Sequence, residues 1–266
     1  MFDVITFASV ASTQDLARAA VNAHHDGTMM PAGVNQLRGN TVIRADEQQS
    51  GRGRRARDWH SSKGGSYQTV LFAPPLVNKP ALSLWVAVGV ARALNQSNNA
   101  SQDMNQDMNQ DINQDINQSV HHVGTDITNA AVMVKWPNDL YVGTKKVAGI
   151  LCEWCQGWLL VGIGVNVSNA VPESATRLER PLEQVHADVL TGVTAGVAQW
   201  QQGDALEPAF FRWDFLRGKN VTVKTGHNIL TGVARGVNSN GCLQLDATFC
   251  CDGHVLAWSD AHESPI

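Results

Sequence analysis

The sequence predicts an α/β (α+β) fold with a mixed sheet, followed by a small barrel-like β domain. Over residues 1–216, apolar runs with the strand period alternate with runs of helical period. Residues 217–266 instead hold short strands between turn-forming Gly, Asn and Asp residues. Of the 266 residues, 43% are hydrophobic and 17% charged, which is enough apolar material for a sizeable core.

Turn, cap and periodicity signals place the elements in order. Ser12 begins a Ser-Thr-Gln-Asp capping-box pattern, which is typical of a helix start. The helices are expected at residues 16–23, 81–94 and 187–213. The strands are expected at residues 4–7, 41–45, 66–72, 132–136, 140–142, 147–153, 159–167, 221–223, 229–237, 242–245 and 255–258.

Residues 95–130 interrupt this pattern with a tetrad repeat. Gln-Asp-Met-Asn occurs twice and Gln-Asp-Ile-Asn twice between residues 102 and 117. The repeat could align its four apolar residues along one helix stripe, but Asn and Asp are poor helix formers. Each helical turn would also bury only one apolar group. We therefore predict a disordered, low-complexity insertion without a function of its own.

Composition argues against several classes of function. The formal net charge is -4, whereas a general nucleic-acid binder is usually basic. No apolar stretch reaches the roughly 18 residues of a membrane span, and no basic, apolar leader stands at the N-terminus. We therefore expect a cytoplasmic protein with neither nucleic acid nor membrane as a partner.

Five cysteines argue against a disulfide framework. Cys152 and Cys155 form a CxxC in a strand-like run, where residues three apart point to opposite faces. The adjacent Cys250 and Cys251 diverge in the same way if the chain is extended there. Buried or unreactive thiols are therefore expected in preference to zinc ligands.

The most informative stretch is the arginine-rich segment at residues 51–59. Four arginines fall within six positions, two glycines are interleaved with them, and Trp59 follows. Guanidinium groups suit carboxylate and phosphate oxygens, and glycine lets the backbone approach a ligand closely. The segment formally matches G-x-G-x-x-A, but no apolar helix follows it, so a dinucleotide fingerprint is not expected. It predicts a loop that holds an anion beside a flat ring.

A second polar cluster lies at residues 135–140, which run Lys-Trp-Pro-Asn-Asp-Leu at the end of a strand. Asp139 could hold Mg²⁺ or orient an amine, but Pro-Asn-Asp is also good turn chemistry, and both interpretations stay open here. Lys145 and Lys146 precede an apolar strand and should point to opposite faces. Since no P-loop, nucleophile elbow or Ser-His-Asp spacing occurs, the sequence favours catalysis by positioning and charge stabilisation.

Taken in order, these segments resemble the biotin protein ligases, the biotin–[acetyl-CoA-carboxylase] ligases, of the monofunctional type without an N-terminal DNA-binding domain. The matching pieces are residues 12–14, 48–59, 135–140, 146–153 and 162–167. The resemblance implies a mixed-sheet catalytic domain of the biotin/lipoate ligase type at residues 1–216. It also implies an SH3-like β-barrel at residues 217–266 and is compatible with a homodimer. Since the chain begins at the catalytic segment, repression of genes is not expected.

The resemblance also implies a reaction and its participants. The carboxylate of biotin would attack the α-phosphate of ATP, giving biotinyl-5′-AMP and pyrophosphate. A lysine of the biotin carboxyl carrier domain of a carboxylase would then attack this mixed anhydride. Mg²⁺ would arrive with ATP and lie near Asp139, without a dedicated metal site.

Site residues follow from the resemblance position by position. Biotin binding falls to Ser12, Thr13, Gln14, Gln48, Arg52, Gly53, Arg54, Lys146 and Gly149. Binding of ATP and the adenylate falls to Arg52, Arg54, Arg55, Trp59 and Asn166. The catalytic groups would be Lys146, Arg52, Arg54 and Asp139. Gln14 stands where the family usually has Asn, and Ala56 where it usually has Gly.

Two alternatives remain beside a biotin ligase. A lipoate or octanoate ligase or transferase shares the fold class, but would not be expected to carry the arginine-rich segment together with residues 135–140. A non-catalytic biotin sensor would require a DNA-binding segment or the loss of the catalytic lysine, and Lys146 is present.

Overall fold

The computed structural model describes residues 2–37, 39–110 and 130–260 of the chain. Its helices are α1 (Thr13–Asp26), α2 (Leu82–Gln110), α3 (Leu182–Gln202) and α4 (Leu206–Phe211), and a 3-10 turn covers Arg54–Ala56. The first nine strands are β1 (Asp3–Val10), β2 (Thr41–Gln48), β3 (Gly51–Arg52), β4 (Asp58–Trp59), β5 (Ser66–Phe72), β6 (Val132–Lys135), β7 (Asp139–Val142), β8 (Lys145–Cys155) and β9 (Trp158–Val165). The last five are β10 (Lys219–Thr225), β11 (Asn228–Val237), β12 (Leu243–Leu245), β13 (Thr248–Cys250) and β14 (His254–Asp260).

The larger sheet is mixed, as the sequence predicted. Its seven strands lie in the order β1-β2-β5-β9-β8-β7-β6. β1 and β2 are parallel because helix α1 crosses between them, whereas the remaining neighbours pair antiparallel. Ser12 caps α1 as expected, since its hydroxyl accepts a hydrogen bond from the backbone N–H of Asp15 at 3.3 Å.

Helices cover both faces of the sheet. Every residue of β5 is buried, which requires a packed layer on each side of this strand. On one side, Ala17 and Val21 of α1 pack with Leu71 of β5. On the other, α2 and α3 contribute Val86 and Val193 to the main core cluster. The sheet therefore has a rigid support beneath its central strands.

Glycines bring α2 and α3 into close contact. A Cβ atom added to Gly192 of α3 would lie 2.5 Å from the Cα atom of Val90 in α2. A Cβ added to Gly196 would lie 2.9 Å from the Cα atom of Val86. Real Cβ atoms do not approach other atoms this closely. The short distance between α2 and α3 therefore requires glycine, which has no side chain, at positions 192 and 196.

The expected insertion is partly helical. α2 continues through Gln110, so residues 95–110 form helix where we predicted disorder; residues 111–129 lie outside the described part of the chain. The helix is anchored beyond its predicted end because Asn95 donates a hydrogen bond to the Val132 carbonyl at 3.0 Å. Ser97 donates another to Asp188 of α3 at 2.7 Å. At Asn95 and Ser97, these contacts to distant residues outweigh the weak local helix propensity.

The C-terminal segment forms a separate five-stranded sheet in the order β13-β12-β11-β10-β14. Four of its strands were predicted, and β13 was missed. The sheet is not closed, because the edge strands β13 and β14 do not pair with each other in the described structure. A hydrogen bond of 2.9 Å from the Trp136 indole N–H to the Gly241 carbonyl ties this segment to the larger sheet.

The expectation of five free thiols is wrong for two cysteines. Cys242 and Cys251 form a disulfide bond. Leu243 pairs with Cys250 across the hairpin of β12 and β13. Cys242 and Cys251 are the next residues on the two strands and therefore lie opposite each other. The sequence argument considered only neighbouring cysteines and overlooked pairing across a hairpin. Cys152, Cys155 and Cys250 are free, as expected.

None of the helices in the described ranges combines the length and the apolar character that a membrane crossing needs.

Candidate functional site

One cavity brings together the predicted site residues. It opens over the β8–β9 face of the larger sheet, beneath the hairpin of β3 and β4. Twelve of the thirteen predicted positions line it: Ser12, Thr13, Gln14, Gln48, Arg52, Gly53, Arg54, Arg55, Trp59, Asp139, Lys146 and Gly149. The exception is Asn166.

One end of the cavity is polar and neutral. The backbone N–H and the hydroxyl of Thr13 both donate to the side-chain oxygen of Gln48, at 2.8 and 3.1 Å. Thr69 donates to the hydroxyl of Thr13 at 2.9 Å. Gln48 in turn donates to the Ser61 hydroxyl at 2.8 Å. This network fixes hydroxyl and amide groups that can both donate and accept hydrogen bonds.

Gln14 extends this network towards the sheet. Its amide nitrogen donates to the Glu153 carboxylate at 2.7 Å, and Arg18 donates to the same carboxylate oxygen at 2.6 Å. A Cβ atom added to Gly162 would lie 2.5 Å from the side-chain oxygen of Gln14. The Gln14 side chain therefore fits only because residue 162 is a glycine. Glu153, which the sequence analysis did not assign to the site, orients Gln14.

The arginine-rich segment forms a short hairpin over the other end. Gly51 pairs with Trp59 and Arg52 with Asp58, and the Gly53 N–H donates to the Arg57 carbonyl at 2.7 Å. A Cβ on Gly51 would come within 2.5 Å of both the Ser61 hydroxyl and the Trp59 carbonyl. The glycine is therefore required for the close approach of this hairpin to its neighbours.

We call the hairpin at residues 51–59 the arginine hairpin. Carboxylates of other segments form ion pairs with three of its arginines. Arg52 forms an ion pair with Asp15 at the start of α1. Arg54 donates to Asn138 at 3.3 Å and to Asp252 at 3.0 Å. Arg55 donates to the second oxygen of Asp252 at 2.9 Å. The guanidinium groups thus gather at the mouth of the cavity and suit an anionic ligand.

Trp59 forms part of the wall between the two ends. Its indole covers Gly149 and Gly164, and a Cβ on Gly149 would lie 3.2 Å from its ring. The ammonium group of Lys146 lies 5.2 Å from the ring centroid. The indole N–H is buried and has no hydrogen-bond partner among the described residues. An unpaired buried donor is costly, and this one lies against Gly164, where an added Cβ would come within 2.3 Å of the indole nitrogen.

Two lysines and one carboxylate form the cationic floor. The Lys146 ammonium lies 2.6 Å from the Asp139 carboxylate. Lys135 is buried, donates to the Tyr141 hydroxyl at 3.3 Å and lies 4.4 Å from the Trp258 ring centroid. Burial lowers the pKa of Lys135 to about 8. The nearby positive charge of Lys146 also lowers this pKa, whereas the negative charge of Asp139 acts to raise it. Lys135 therefore stays largely protonated at neutral pH and adds positive charge to the cavity.

The C-terminal sheet also reaches the cavity, which the sequence analysis missed. Gly253, just before β14, and His254 and Val255, the first residues of β14, line it. Burial lowers the pKa of His254, and the positive charges of Arg57 and Lys135 lower it further. The Asp-Gly dipeptide at residues 252–253 signals a turn, but no local pattern indicates where that turn lies in three dimensions.

Asn166 lies outside the cavity lining. Its side chain is buried, donates to the Thr176 carbonyl at 3.1 Å and accepts from Asn169 at 3.2 Å. Through these two hydrogen bonds, Asn166 fixes the conformation of the loop that follows β9.

No group of three or more His, Cys, Asp or Glu side chains in the described ranges is arranged to hold a metal ion. Asp139 remains a carboxylate that could contribute one oxygen to a cation brought by a phosphate ligand.

The chain is similar to proteins of one family. A model of the Biotin/lipoate A/B protein ligase family matches residues 28–168, more than half of the chain. The chain is 25% identical over 255 residues to the biotin–[acetyl-CoA-carboxylase] ligase of Mycobacterium tuberculosis, covering 92% of this chain and 82% of that protein. It is 26% identical over 231 residues to the bifunctional ligase/repressor BirA of Bacillus subtilis, covering 77% of this chain.

The chain spans only 61% of the length of that bifunctional relative. Its fold is similar to that of the biotin protein ligase from Aquifex aeolicus in complex with biotin and ATP. The TM-score is 0.71 at 23% identity, and the alignment covers 98% of this chain and 100% of that chain.

Proposed function

The chain belongs to the biotin/lipoate A/B protein ligase family, and from this premise we propose that it is a biotin protein ligase. It would use ATP to attach biotin to a lysine of a biotin carboxyl carrier protein through biotinyl-5′-AMP. One observation carries the proposal: a single cavity joins a neutral hydroxyl and amide end to a cationic end. Such a cavity suits a ligand with a neutral polar head and a carboxylate that is activated by a phosphate.

The neutral end would bind the ureido head of biotin. A ureido group has two N–H donors and one strong carbonyl acceptor, so it needs partners of both kinds. The hydroxyls of Ser12 and Thr13 and the amides of Gln14 and Gln48 are buried or half-buried and already ordered by mutual hydrogen bonds. Preordered polar groups lose little entropy on binding.

The cationic end would support the first chemical step. The carboxylate of biotin forms a bond to the α-phosphorus of ATP, and the bond from that phosphorus to the bridging oxygen of pyrophosphate breaks. Both reactants are anions, so they repel each other on approach. Lys146, with Arg52 and Arg54 of the arginine hairpin, would hold the two anions together and stabilise the developing charge.

Asp139 would act in the second step. The amine of the carrier lysine attacks the carbonyl carbon of biotinyl-AMP, forming an amide and releasing AMP. The attacking amine loses a proton in this step. Once Lys146 turns to the phosphate, the Asp139 carboxylate is free to orient the amine and accept that proton.

We propose that Mg²⁺ enters bound to the phosphates of ATP, where it would neutralise their charge. Asp139 would contribute a single oxygen, because ATP-dependent enzymes commonly hold Mg²⁺ through one or two carboxylates together with phosphates. Trp59 would pack against the adenine through its indole ring. Asn166 would support this region through the loop after β9.

We also propose a division into two domains, a cytoplasmic location and a carrier-protein partner. Residues 1–216 would form the catalytic domain and residues 217–266 an SH3-like barrel, the latter supported by the antiparallel five-stranded sheet. The protein would act in the cytoplasm, with a carboxylase carrier domain as its partner and a homodimer as its assembly. Residues 253–255 would bring the C-terminal segment to the nucleotide.

Incubation with biotin, MgATP and a purified carrier domain tests the proposal. We expect a biotin adduct on one carrier lysine, detected by avidin blot and by mass, and biotin-dependent exchange of pyrophosphate into ATP. Lipoate and octanoate in place of biotin provide the matched controls. Transfer of lipoate or octanoate instead of biotin would favour the runner-up activity, and no adduct with any of the three acids would contradict ligation.

A further inference from the structure

Asp252 joins the C-terminal sheet to the arginine hairpin. One carboxylate oxygen lies 3.0 Å from the Arg54 guanidinium and the other 2.9 Å from that of Arg55. Asp252 therefore bridges two neighbouring arginines, although about 200 residues of sequence separate it from them. Its side chain remains 66% exposed and lies outside the cavity lining, so it touches the cover of the cavity and not its contents.

The bridge has an electrostatic reason. Arg54 and Arg55 carry like charges at adjacent positions and would separate without an anion between them. Partial burial acts to raise the pKa of Asp252, but its hydrogen bonds and charge pairing with Arg55 and Arg54 bring the pKa below its usual value. The carboxylate is therefore ionised at neutral pH and pairs with both guanidinium groups.

The backbone on either side fixes the position of Asp252. Cys251, the preceding residue, is bonded covalently to Cys242 at the start of the hairpin. Gly253, the following residue, packs so closely that an added Cβ would lie 2.6 Å from Val223. Cys250 contributes a weak contact from its thiol to the Asp252 carbonyl at 3.3 Å. The turn is held by a covalent bond on one side and by close packing on the other.

We propose that Asp252 is a positioning residue that keeps the arginine hairpin closed over the cavity, and that the Cys242–Cys251 bond holds Asp252 within reach. This inference rests on the proposed function, because closure matters most for retaining the acyl-adenylate between the two steps. It makes the C-terminal sheet a redox-sensitive support of the cavity cover. Opening the disulfide lets the turn relax and weakens the hold on both arginines.

The redox step needs a thiol reductant. A dithiol such as dithiothreitol transfers two electrons and two protons to the bond, which leaves free thiols at Cys242 and Cys251 and converts the reductant to its own cyclic disulfide. Cytoplasmic thiols keep most disulfides open, so the bonded form would accumulate when the surroundings become oxidising.

Release of pre-formed biotinyl-AMP tests the positioning role. Asp252→Asn keeps the shape but removes the charge, and we expect release to become about threefold to tenfold faster while biotin affinity changes less. Asp252→Glu should restore slow release. Asp246→Asn is the matched control, because Asp246 lies on the same hairpin and pairs with Arg235, and neither residue lines the cavity. Equal release from the wild type and Asp252→Asn would overturn the proposal.

Limited trypsin digestion of the substrate-free protein gives a second readout, independent of ligase activity. We expect faster cleavage after Arg54 and Arg55 in Asp252→Asn and in dithiothreitol-treated wild type, but not in Asp246→Asn. The Cys242→Ser/Cys251→Ser variant should cleave rapidly with or without dithiothreitol. If dithiothreitol leaves the cleavage rate of the wild type unchanged, the role of the disulfide is overturned. A wild type that forms no biotinyl-AMP would contradict the proposed function, whereas digestion would still test the role of Asp252.

Discussion

The ammonium nitrogen of Lys146 lies 2.6 Å from the carboxylate of Asp139 on the floor of the cavity. The two residues stand on the neighbouring strands β7 and β8, whose register shifts between Leu140 and Tyr141. Neither side chain is completely buried, so the pair can open without burying an isolated charge. An anionic ligand can therefore replace Asp139 as the partner of Lys146, which frees the carboxylate for its own role.

Replacing Lys146 with alanine should slow the formation of biotinyl-AMP by about a hundredfold or more. The reason is the loss of a fixed positive charge between two anions, an effect commonly worth a few kcal/mol. Biotin affinity should change less. Pyrophosphate exchange measures the step, and Lys145→Ala is the control because its side chain is exposed on the same strand. Equal activity of the two variants would remove Lys146 from the catalytic groups.

Arg54→Ala should accelerate the release of biotinyl-AMP more than it weakens biotin binding. Its guanidinium contacts Asn138 and Asp252 and lies at the mouth of the cavity. Loss of a charge-assisted contact costs about 1.5–3 kcal/mol, which corresponds to about tenfold to a hundredfold. Arg177→Ala provides the control, since Arg177 pairs with Glu179 and does not line the cavity. Unchanged release would argue against the hairpin as a cover.

His186 should make the stability of the fold depend on pH. It is buried on α3, and its Nδ1 atom lies 2.9 Å from the Ser66 hydroxyl. Burial, together with the Arg44 charge, lowers its pKa from 6.5 to about 4. As the pH falls below 6.5, the unfolded chain takes up a proton that the folded chain resists. The free energy of unfolding should therefore decrease between about pH 6.5 and pH 4, by on the order of 3 kcal/mol in total.

Denaturant titrations at several pH values measure this loss. His186→Gln should flatten the dependence between pH 6.5 and pH 4, whereas His25→Gln, at an exposed position on α1, should leave it unchanged. The same pH dependence in wild type and His186→Gln would assign the effect to other groups.

Gly192→Ala should destabilise the packing of α2 against α3. The new methyl group would overlap the backbone at Val90, and overpacking of this kind costs about 1–3 kcal/mol. The melting temperature should fall by about 2–4 °C for each kcal/mol. Thr191→Ala is the matched control, since the neighbouring side chain is exposed. An unchanged melting temperature in Gly192→Ala would show that the helices have room for a methyl group.

Deleting residues 102–117 should leave the ligase activity within a few-fold of the wild type and the melting temperature unchanged. Two hydrogen bonds that join α2 to β6 and α3 involve Asn95 and Ser97, which precede the deletion. The free energy of closing a loop also changes slowly with its length. Thermal unfolding and carrier biotinylation measure both properties. A large fall in melting temperature would show that the repeat packs against the rest of the protein.

Local signals in the sequence predicted the parts of the site that single segments define. The cap at Ser12 involves residues three apart, and the arginine hairpin is encoded within residues 51–59. Alternation along β8 placed Lys146 and Lys145 on opposite faces. In each case the physical cause acts within one element, so periodicity and composition are sufficient.

The missed features depend on contacts between distant segments. Nothing near Asp252 indicates that it meets Arg54, and the partner of Gln14 is Glu153, on a strand 139 residues away. The continuation of α2 past Leu94 was missed because Asn95 and Ser97 gain partners that propensity does not describe.

The cavity has a floor and a cover with different responses to ionic strength. The Lys146–Asp139 ion pair of the floor stands on paired strands and two closely packed helices, which are joined by backbone hydrogen bonds and apolar contacts. The cover is attached through the partly exposed pairs Arg52–Asp15, Arg54–Asp252 and Arg55–Asp252. Dissolved ions screen such pairs strongly, since the Debye length is about 10 Å at 0.1 M salt. Rising salt will therefore loosen the entrance at concentrations that leave the strands and helices beneath it folded.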